Sequence, residues 1–225
     1  MSRFPLRVAV LISGRGSNLQ ALIAAQRAAP GRFEIVLAAS NRVGAAGLRH
    51  AEDAGIATLA LDPAAHGSRA DYDRLLFERI AVHTPDLIVL AGFMRILDPG
   101  VLIAWQGKMI NIHPSLLPKY AGLHTHRRAL EAGDTQHGAS VHFVSAELDG
   151  GPLIAQVDLL VAPDDTPERL ASRLLPLEHA LLCASVELFA DQRVALDAQG
   201  VRVDGKTLQA PMQWDGTRRA WMHGA

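Results

Sequence analysis

The sequence predicts an α/β fold, a doubly wound and mostly parallel twisted sheet of Rossmann-like form that turns antiparallel towards its C-terminal strands. Three observations carry this. Short, almost purely apolar runs, L-R-V-A-V-L-I at 6–12 and L-I-V-L-A-G at 87–92, have the composition of strands covered on both faces. Stretches of helical periodicity separate such runs, so each strand is followed by an element able to cover the sheet. The first run ends in S-G-R-G-S-N, a connection suited to a strand that feeds directly into a helix.

The Ala- and Leu-rich stretch 19–29 then reads as a helix and 33–39 as the second strand. Residues 45–54 read as a helix stopped by Gly55, with 56–61 extended after it. In 71–82 the residues Tyr72, Leu75, Leu76, Arg79 and Ile80 recur at helical spacing, and Pro85 breaks the pattern before the central strand. A short helix runs from Pro99 to Trp105, and M-I-N-I at 109–112 is a fifth strand leading into His113-Pro114. Beyond it, two prolines and a glycine make 115–123 an irregular loop, followed by a helix around 125–131. Strands at 140–144 and 152–161 are joined by E-L-D-G-G, and here the sheet turns antiparallel. Thr166 as N-cap and Pro167 at the first helical position open a long amphipathic helix to about 189, with Pro176 a candidate kink. Residues 194–208, with Gly200 and Asp204-Gly205, read as a small hairpin, and the tail beyond Pro211 reads as frayed. No repeat, linker or low-complexity tract divides the chain, so a single domain over 1–225 is expected.

A chain of 225 residues can bury roughly 70–75% of its unfolded surface. Hydrophobic content of 49% with 20% charged residues excludes disordered, collagen-like and disulfide-stapled classes. Acids and bases balance at 23 against 22, and no run of like charges stands out, so neither nucleic acid nor a membrane is an expected partner. The apolar run 8–12 is too short for a signal-peptide core or a membrane span, and a soluble, cytoplasmic protein is expected. The single cysteine, Cys183, lies in an apolar helical stretch and reads as an inert buried thiol.

Ligands of such sheets sit at the carboxyl ends of the strands. The S-G-R-G-S-N loop would turn backbone N–H groups and a helix N-terminus towards an anion, with Ser17 and Asn18 adding donors; a phosphate suits it. No Gly-Lys-Ser/Thr follows, so it is not a P-loop. Leu19 fills the third-glycine position of the dinucleotide fingerprint, and the second strand ends at Ser40-Asn41-Arg42 without a ribose-binding acid. Taken alone, the loop is equally consistent with a tight structural turn. At the fifth strand end, Asn111 and His113 are two apart on extended chain and project from one face. An amide donor beside an imidazole suits a tetrahedral oxyanion, and a neighbouring carboxylate, for which Asp149 is the candidate, favours the protonated ring. Each of the three also has an ordinary structural reading, and only their joint placement raises the catalytic one. His124 and His126 share a face on a strand but not on a helix and lack further ligands, so no metal is expected. His142 reads as a wall or supporting residue, and Phe93 and Met94 occupy another strand end.

Five motifs together, I-S-G-R-G-S-N-L-Q at 12–20, A-G-F-M-R-I-L at 91–97, N-I-H-P-S-L-L-P-K-Y at 111–120, H-G-x-S-V-H-F-V at 137–144 and E-L-D-G-G-P at 147–152, resemble the phosphoribosylglycinamide formyltransferases, the folate-dependent enzymes of purine synthesis. The likeness covers about 7–190, which would be the catalytic core, with a C-terminal hairpin and tail over about 191–225. Asn-x-His-Pro and Asp-Gly-Gly alone are shared with methionyl-tRNA formyltransferase and formyltetrahydrofolate hydrolases. Those carry additional domains for which this chain is expected to have no room.

The resemblance implies transfer of a formyl group from 10-formyltetrahydrofolate, a co-substrate, to the glycine amine of glycinamide ribonucleotide. Asn111, His113 and Asp149 would be catalytic. Gly16, Ser17 and Asn18 would hold the substrate phosphate and Glu178 its ribose. Arg69 would contact the folate, Met94, Arg95, Ile96 and Leu97 would line its pterin, and Ser145, Ala146, Glu147, Leu148 and Asp149 would close its other side, where Asn111 also borders it. A monomer or weak homodimer is expected. Two departures stand out: the apolar Leu174-Leu175-Pro176-Leu177 before Glu178, and Ala121 in a position usually held by proline. The competing readings are a formyltetrahydrofolate hydrolase and an NADP- or nucleotide-binding α/β protein, with Arg42 facing a 2′-phosphate.

Overall fold

A computed structural model describes residues 5–222. Its first half alternates strand and helix: β1 (Leu6–Ile12), α1 (Ser17–Ala28), β2 (Phe33–Ser40), α2 (Leu48–Glu52), β3 (Thr58–Ala60), α3 (Arg69–Val82), β4 (Leu87–Leu90), α4 (Pro99–Ala104) and β5 (Met109–His113). Then come α5 (Thr125–Glu131), β6 (Gln136–Phe143), β7 (Leu153–Leu160), α6 (Pro167–Ala190), β8 (Val194–Asp197), β9 (Gly200–Val203), β10 (Lys206–Thr207), β11 (Met212–Asp215) and β12 (Ala220–Trp221).

The main sheet has the order β12-β11-β7-β6-β5-β4-β1-β2-β3. Strands β3 to β5 are mutually parallel with β1 and β2, and β6 runs antiparallel to both β5 and β7. The chain leaves β1 towards β2 and β3, then returns to the other side of β1 as β4 and β5. That reversal gathers the ends of β1, β4 and β5 into one crevice.

Period-two alternation in β1 divides the core. Val8, Val10 and Ile12 join Leu19 and Leu22 of α1 and Leu181 and Leu182 of α6 on one face, while Ala9 and Leu11 join Tyr72, Leu76 and Ile80 of α3 on the other. The α6 N-terminus is built as its sequence implies, Thr166 accepting from the Arg169 N–H with Pro167 in the first turn.

Four expectations need correction. The second helix is only five residues long, because 45–47 turn against the glycine loop: Gly47 N–H donates to Gly14 O (3.0 Å), and a Cβ on Gly47 would lie 2.8 Å from Gly16 Cα. Strand β6 begins four residues early, through polar Gln136 and His137, since Gly138 lets the chain pass where a Cβ would meet Val157 O at 2.1 Å. The presumed hairpin is three-stranded, β10-β9-β8. The tail beyond Pro211 is not frayed: β11 pairs parallel with the outer edge of β7, and its Trp214 packs edge-on against Trp221 of β12, 4.9 Å between centroids. An open, half-apolar edge favours such a cover. The last three residues of the expected 191–225 segment lie outside the described residues. Among the described residues, no helix is long and apolar enough to cross a membrane.

Candidate active site

Asp149 stands at the β5 end of the crevice. It lies in the β6–β7 turn in left-handed backbone, φ 51°, a conformation uncommon outside glycine and enriched where a site constrains the chain. That geometry turns its carboxylate back onto β5. One oxygen, Oδ1, accepts from Asn111 Nδ2 at 3.3 Å; the other, Oδ2, accepts the Gly122 N–H at 2.8 Å and faces His113 Nδ1 at 3.4 Å. Asn111 and His113 do project from one face of β5, and both reach the same carboxylate.

Each partner is fixed in turn. His113 is buried, and its Nε2 donates to Tyr120 O at 2.9 Å, so both ring nitrogens face oxygens that can only accept. His142, across from Asn111 in the β5–β6 register, donates from Nδ1 to Phe143 O (2.9 Å), which leaves Nε2 as the acceptor for Asn111 Nδ2 at 3.1 Å. Burial pushes the His142 ring below its ordinary range, consistent with a neutral imidazole in that accepting role. The amide of Asn111 is thereby oriented: its N–H bonds go to His142 and Asp149.

Two of these contacts come from the main chain of the loop 114–124, and that loop is held on both flanks. Ser140 Oγ donates to Ser115 O and accepts the Leu117 N–H, and Gln156 Nε2 donates to Leu117 O at 2.9 Å, all buried. Tyr120 OH donates to Asp134, and Arg128 donates to Ala121 O. Ala121, one of the two departures from the family pattern, thus engages through its carbonyl, which any residue supplies.

At the end of β1 the arrangement is more open. Ser13, Gly14, Arg15, Gly16, Ser17, Asn18 and Arg42 line a crevice of about 270 Å³ with Met94 on its far side. Gly16 is left-handed, φ 71°, and packs so closely on Gly47 that a Cβ would clash. Asn18 is buried with Oδ1 unpartnered, and Glu178 of α6 is buried as well. Burial pushes the Glu178 carboxyl up to about 7, with the neighbouring Asn18 amide opposing it. Leu174 points into the core and Leu177 packs against Gly216, so the apolar stretch before Glu178 serves packing.

Ser13, absent from the sequence-based candidates, links this loop to the next strand end. Its hydroxyl donates to Asn41 Oδ1 and accepts the Met94 N–H at 2.7 Å. Met94, Ile96 and Leu148 are exposed apolar side chains, Arg95 is mostly covered and Leu97 is buried. Ser145 donates to Glu147 O, and Ala146 and Glu147 lie exposed in the same turn. Arg69 opens α3, makes no side-chain hydrogen bond or ion pair among the described residues, and is not drawn into the cage around Asp149; it acts on Asp73 through charge alone. His126 and His137 pair with each other, Nδ1 to Nε2, at 3.0 Å. Cys183 is partly buried with its thiol pushed up to about 12, as an inert residue requires.

The family model described as formyl transferase matches residues 6–186. The phosphoribosylglycinamide formyltransferase of Escherichia coli (strain K12) is 47% identical over 203 residues, 90% of this chain and 96% of that protein. The chain belongs to the phosphoribosylglycinamide formyltransferase family. A solved structure of the phosphoribosylglycinamide formyltransferase from Coxiella burnetii superposes with a TM-score of 0.88 at 48% identity, covering 91% of this chain and 96% of that one. The trifunctional purine biosynthetic protein adenosine-3 of Gallus gallus is 43% identical over 87% of this chain, which spans 19% of that larger protein. Membership of this formyltransferase family accounts for the fold as observed, with its largely parallel sheet and small antiparallel C-terminal sheet.

Proposed function

We propose that the protein transfers the formyl group of 10-formyltetrahydrofolate to the glycine amine of glycinamide ribonucleotide, giving the formylated ribonucleotide and tetrahydrofolate. The observation that carries this reading is the convergence of Asn111 and His113 on one carboxylate at the strand-end crevice. The amine nitrogen attacks the formyl carbon, and the carbonyl electrons move to oxygen. Asn111 Nδ2 and the His113 N–H directed at Asp149 are the donors for that oxyanion; both contacts to Asp149, at 3.3 and 3.4 Å, are longer than the bonds fixing the other sides of the same groups, so they are the ones released. Asp149 accepts the proton lost by the attacking amine. As the bond from carbon to folate nitrogen breaks, that proton passes to the leaving nitrogen, directly or through water.

The phosphate of the ribonucleotide fits the open donors of the Gly16–Ser17–Asn18 turn and the α1 N-terminus, with Arg15 and Arg42 beside it and Glu178 accepting from the ribose. Met94, Ile96 and Leu148 offer the apolar surface that a pterin needs. The proposed working unit is a monomer or weak homodimer, acting in the cytoplasm as a single formyltransferase domain on small molecules.

The test supplies formyl-folate with and without glycinamide ribonucleotide. Formyl loss only when the ribonucleotide is present supports transfer. Equal loss in both supports a hydrolase, and loss in neither leaves a binding or redox role.

A further inference from the structure

Residues 94–98 cross the end of β4 as a strap pinned at two points. At one end the Met94 N–H donates to Ser13 Oγ, and at the other the Asp98 N–H donates to Asp73 Oδ2 at 2.8 Å. Between the pins, Arg95, Ile96 and Leu97 make no main-chain hydrogen bond among the described residues. Three successive free peptide groups held taut over a crevice form an edge that can pair with a flat ligand bearing donors and acceptors.

Asp73 is unusual on its own helix. It is completely buried on α3, the helix that also gives Tyr72, Leu76 and Phe77 to the core, where an ionised carboxylate is costly unless partnered. Its Oδ1 makes no hydrogen bond but faces Arg95 Nε at 3.8 Å, and that Nε is likewise buried and unpartnered. The Arg95 guanidinium lies over the Tyr72 ring, 4.4 Å from its centroid, and the Tyr72 hydroxyl is tied to Leu61 O at 3.1 Å. One buried carboxylate therefore fixes the far end of the strap through Asp98 and its middle through Arg95. Core packing alone would be served as well by an apolar side chain of that size.

We propose that Asp73 is a positioning residue for formyl-folate, holding residues 95–97 so that their free peptide groups face the pterin. This rests on the reading of 94–97 as the folate segment. The variants Asp73→Leu and Asp73→Asn are compared with wild type by steady-state kinetics, by calorimetric binding of tetrahydrofolate and by thermal melting. For Asp73→Leu we expect KM for formyl-folate and Kd for tetrahydrofolate to rise at least tenfold, with KM for glycinamide ribonucleotide changed less than twofold. Asp73→Asn keeps an oxygen for the Asp98 N–H and should recover part of the loss, to about threefold. If Asp73→Leu does not fold, Asp73→Asn carries the same split between substrates. Equal changes in both KM values, or unchanged tetrahydrofolate binding in a folded variant, would overturn the proposal. A wild-type protein that binds tetrahydrofolate but transfers no formyl group would instead refute the formyl-transfer reading, leaving the calorimetric comparison to judge Asp73.

Discussion

The two ends of the crevice are built on opposite principles. At the end of β1 the chain leaves its hydrogen-bonding groups open: the glycine turn exposes N–H donors, Arg15 and Arg42 are exposed, and Asn18 keeps a buried oxygen without a partner. At the end of β5 almost everything is engaged, with Asp149, Asn111, His113 and His142 tied to one another and to three backbone groups. Open donors suit an end whose task is to bind, because a ligand can satisfy them without displacing anything. Pre-tied donors suit an end whose task is chemistry, because their orientation is settled before charge develops.

That contrast can be broken by asking where mutations appear in the kinetics. The largest effect should come from the engaged end: Asn111→Ala or His113→Ala should lower kcat by about 10²–10³ while leaving KM for glycinamide ribonucleotide nearly unchanged in initial-rate assays. Next is the support beneath it. Burial, then the neighbouring His126, lowers the His137 ring to about 4, with Asp134 opposing and His113 adding to the lowering. The unfolded chain takes up this proton near pH 6.5 and the folded chain refuses it until about 4, so stability is full above 6.5 and falls as the pH drops through that window. Urea unfolding at pH 7.5 and 4.5 should differ by on the order of 2 kcal/mol from this residue, and His137→Gln should flatten the difference.

At the open end the effects should be smaller and fall on binding. Asn18→Ala should raise KM for glycinamide ribonucleotide about 10-fold and the folate KM much less, the loss of one bond to a charged group. Smallest is Glu178→Gln. The folded carboxyl keeps its proton up to about pH 7, so its stabilising contribution is present below the unfolded value of 4.5 and is lost as pH rises through 7. The amide removes that buried charge, and a melt at pH 8 should move up by about 1–3 °C while KM for the ribonucleotide rises a few-fold.

Much of this is legible in the sequence. Strands β1, β4 and β5 announce themselves as apolar runs, and the two-residue spacing of Asn111 and His113 on extended chain is enough to place them on one face. Their meeting with Asp149 is not legible, since it depends on the left-handed turn at 149 and on a contact between residues 38 apart in sequence. Tyr120 and Gly122 act through main-chain groups, to which residue type is blind. β11 is a four-residue strand whose partner lies more than fifty residues earlier, and M-Q-W-D has too little apolar alternation to reveal it. The helical spacing of 45–54 is real, yet α2 is short, because Gly47 is needed flat against the glycine loop.

The proposed mechanism makes Asp149 the group that organises the chemical end of the crevice without binding the ribonucleotide. Steady-state kinetics of Asp149→Asn, with both substrates varied, tests this most directly. The predicted result is a fall in kcat of at least about a hundredfold with both KM values within about threefold of wild type. Near-normal turnover, or a loss confined to KM for glycinamide ribonucleotide, would contradict it.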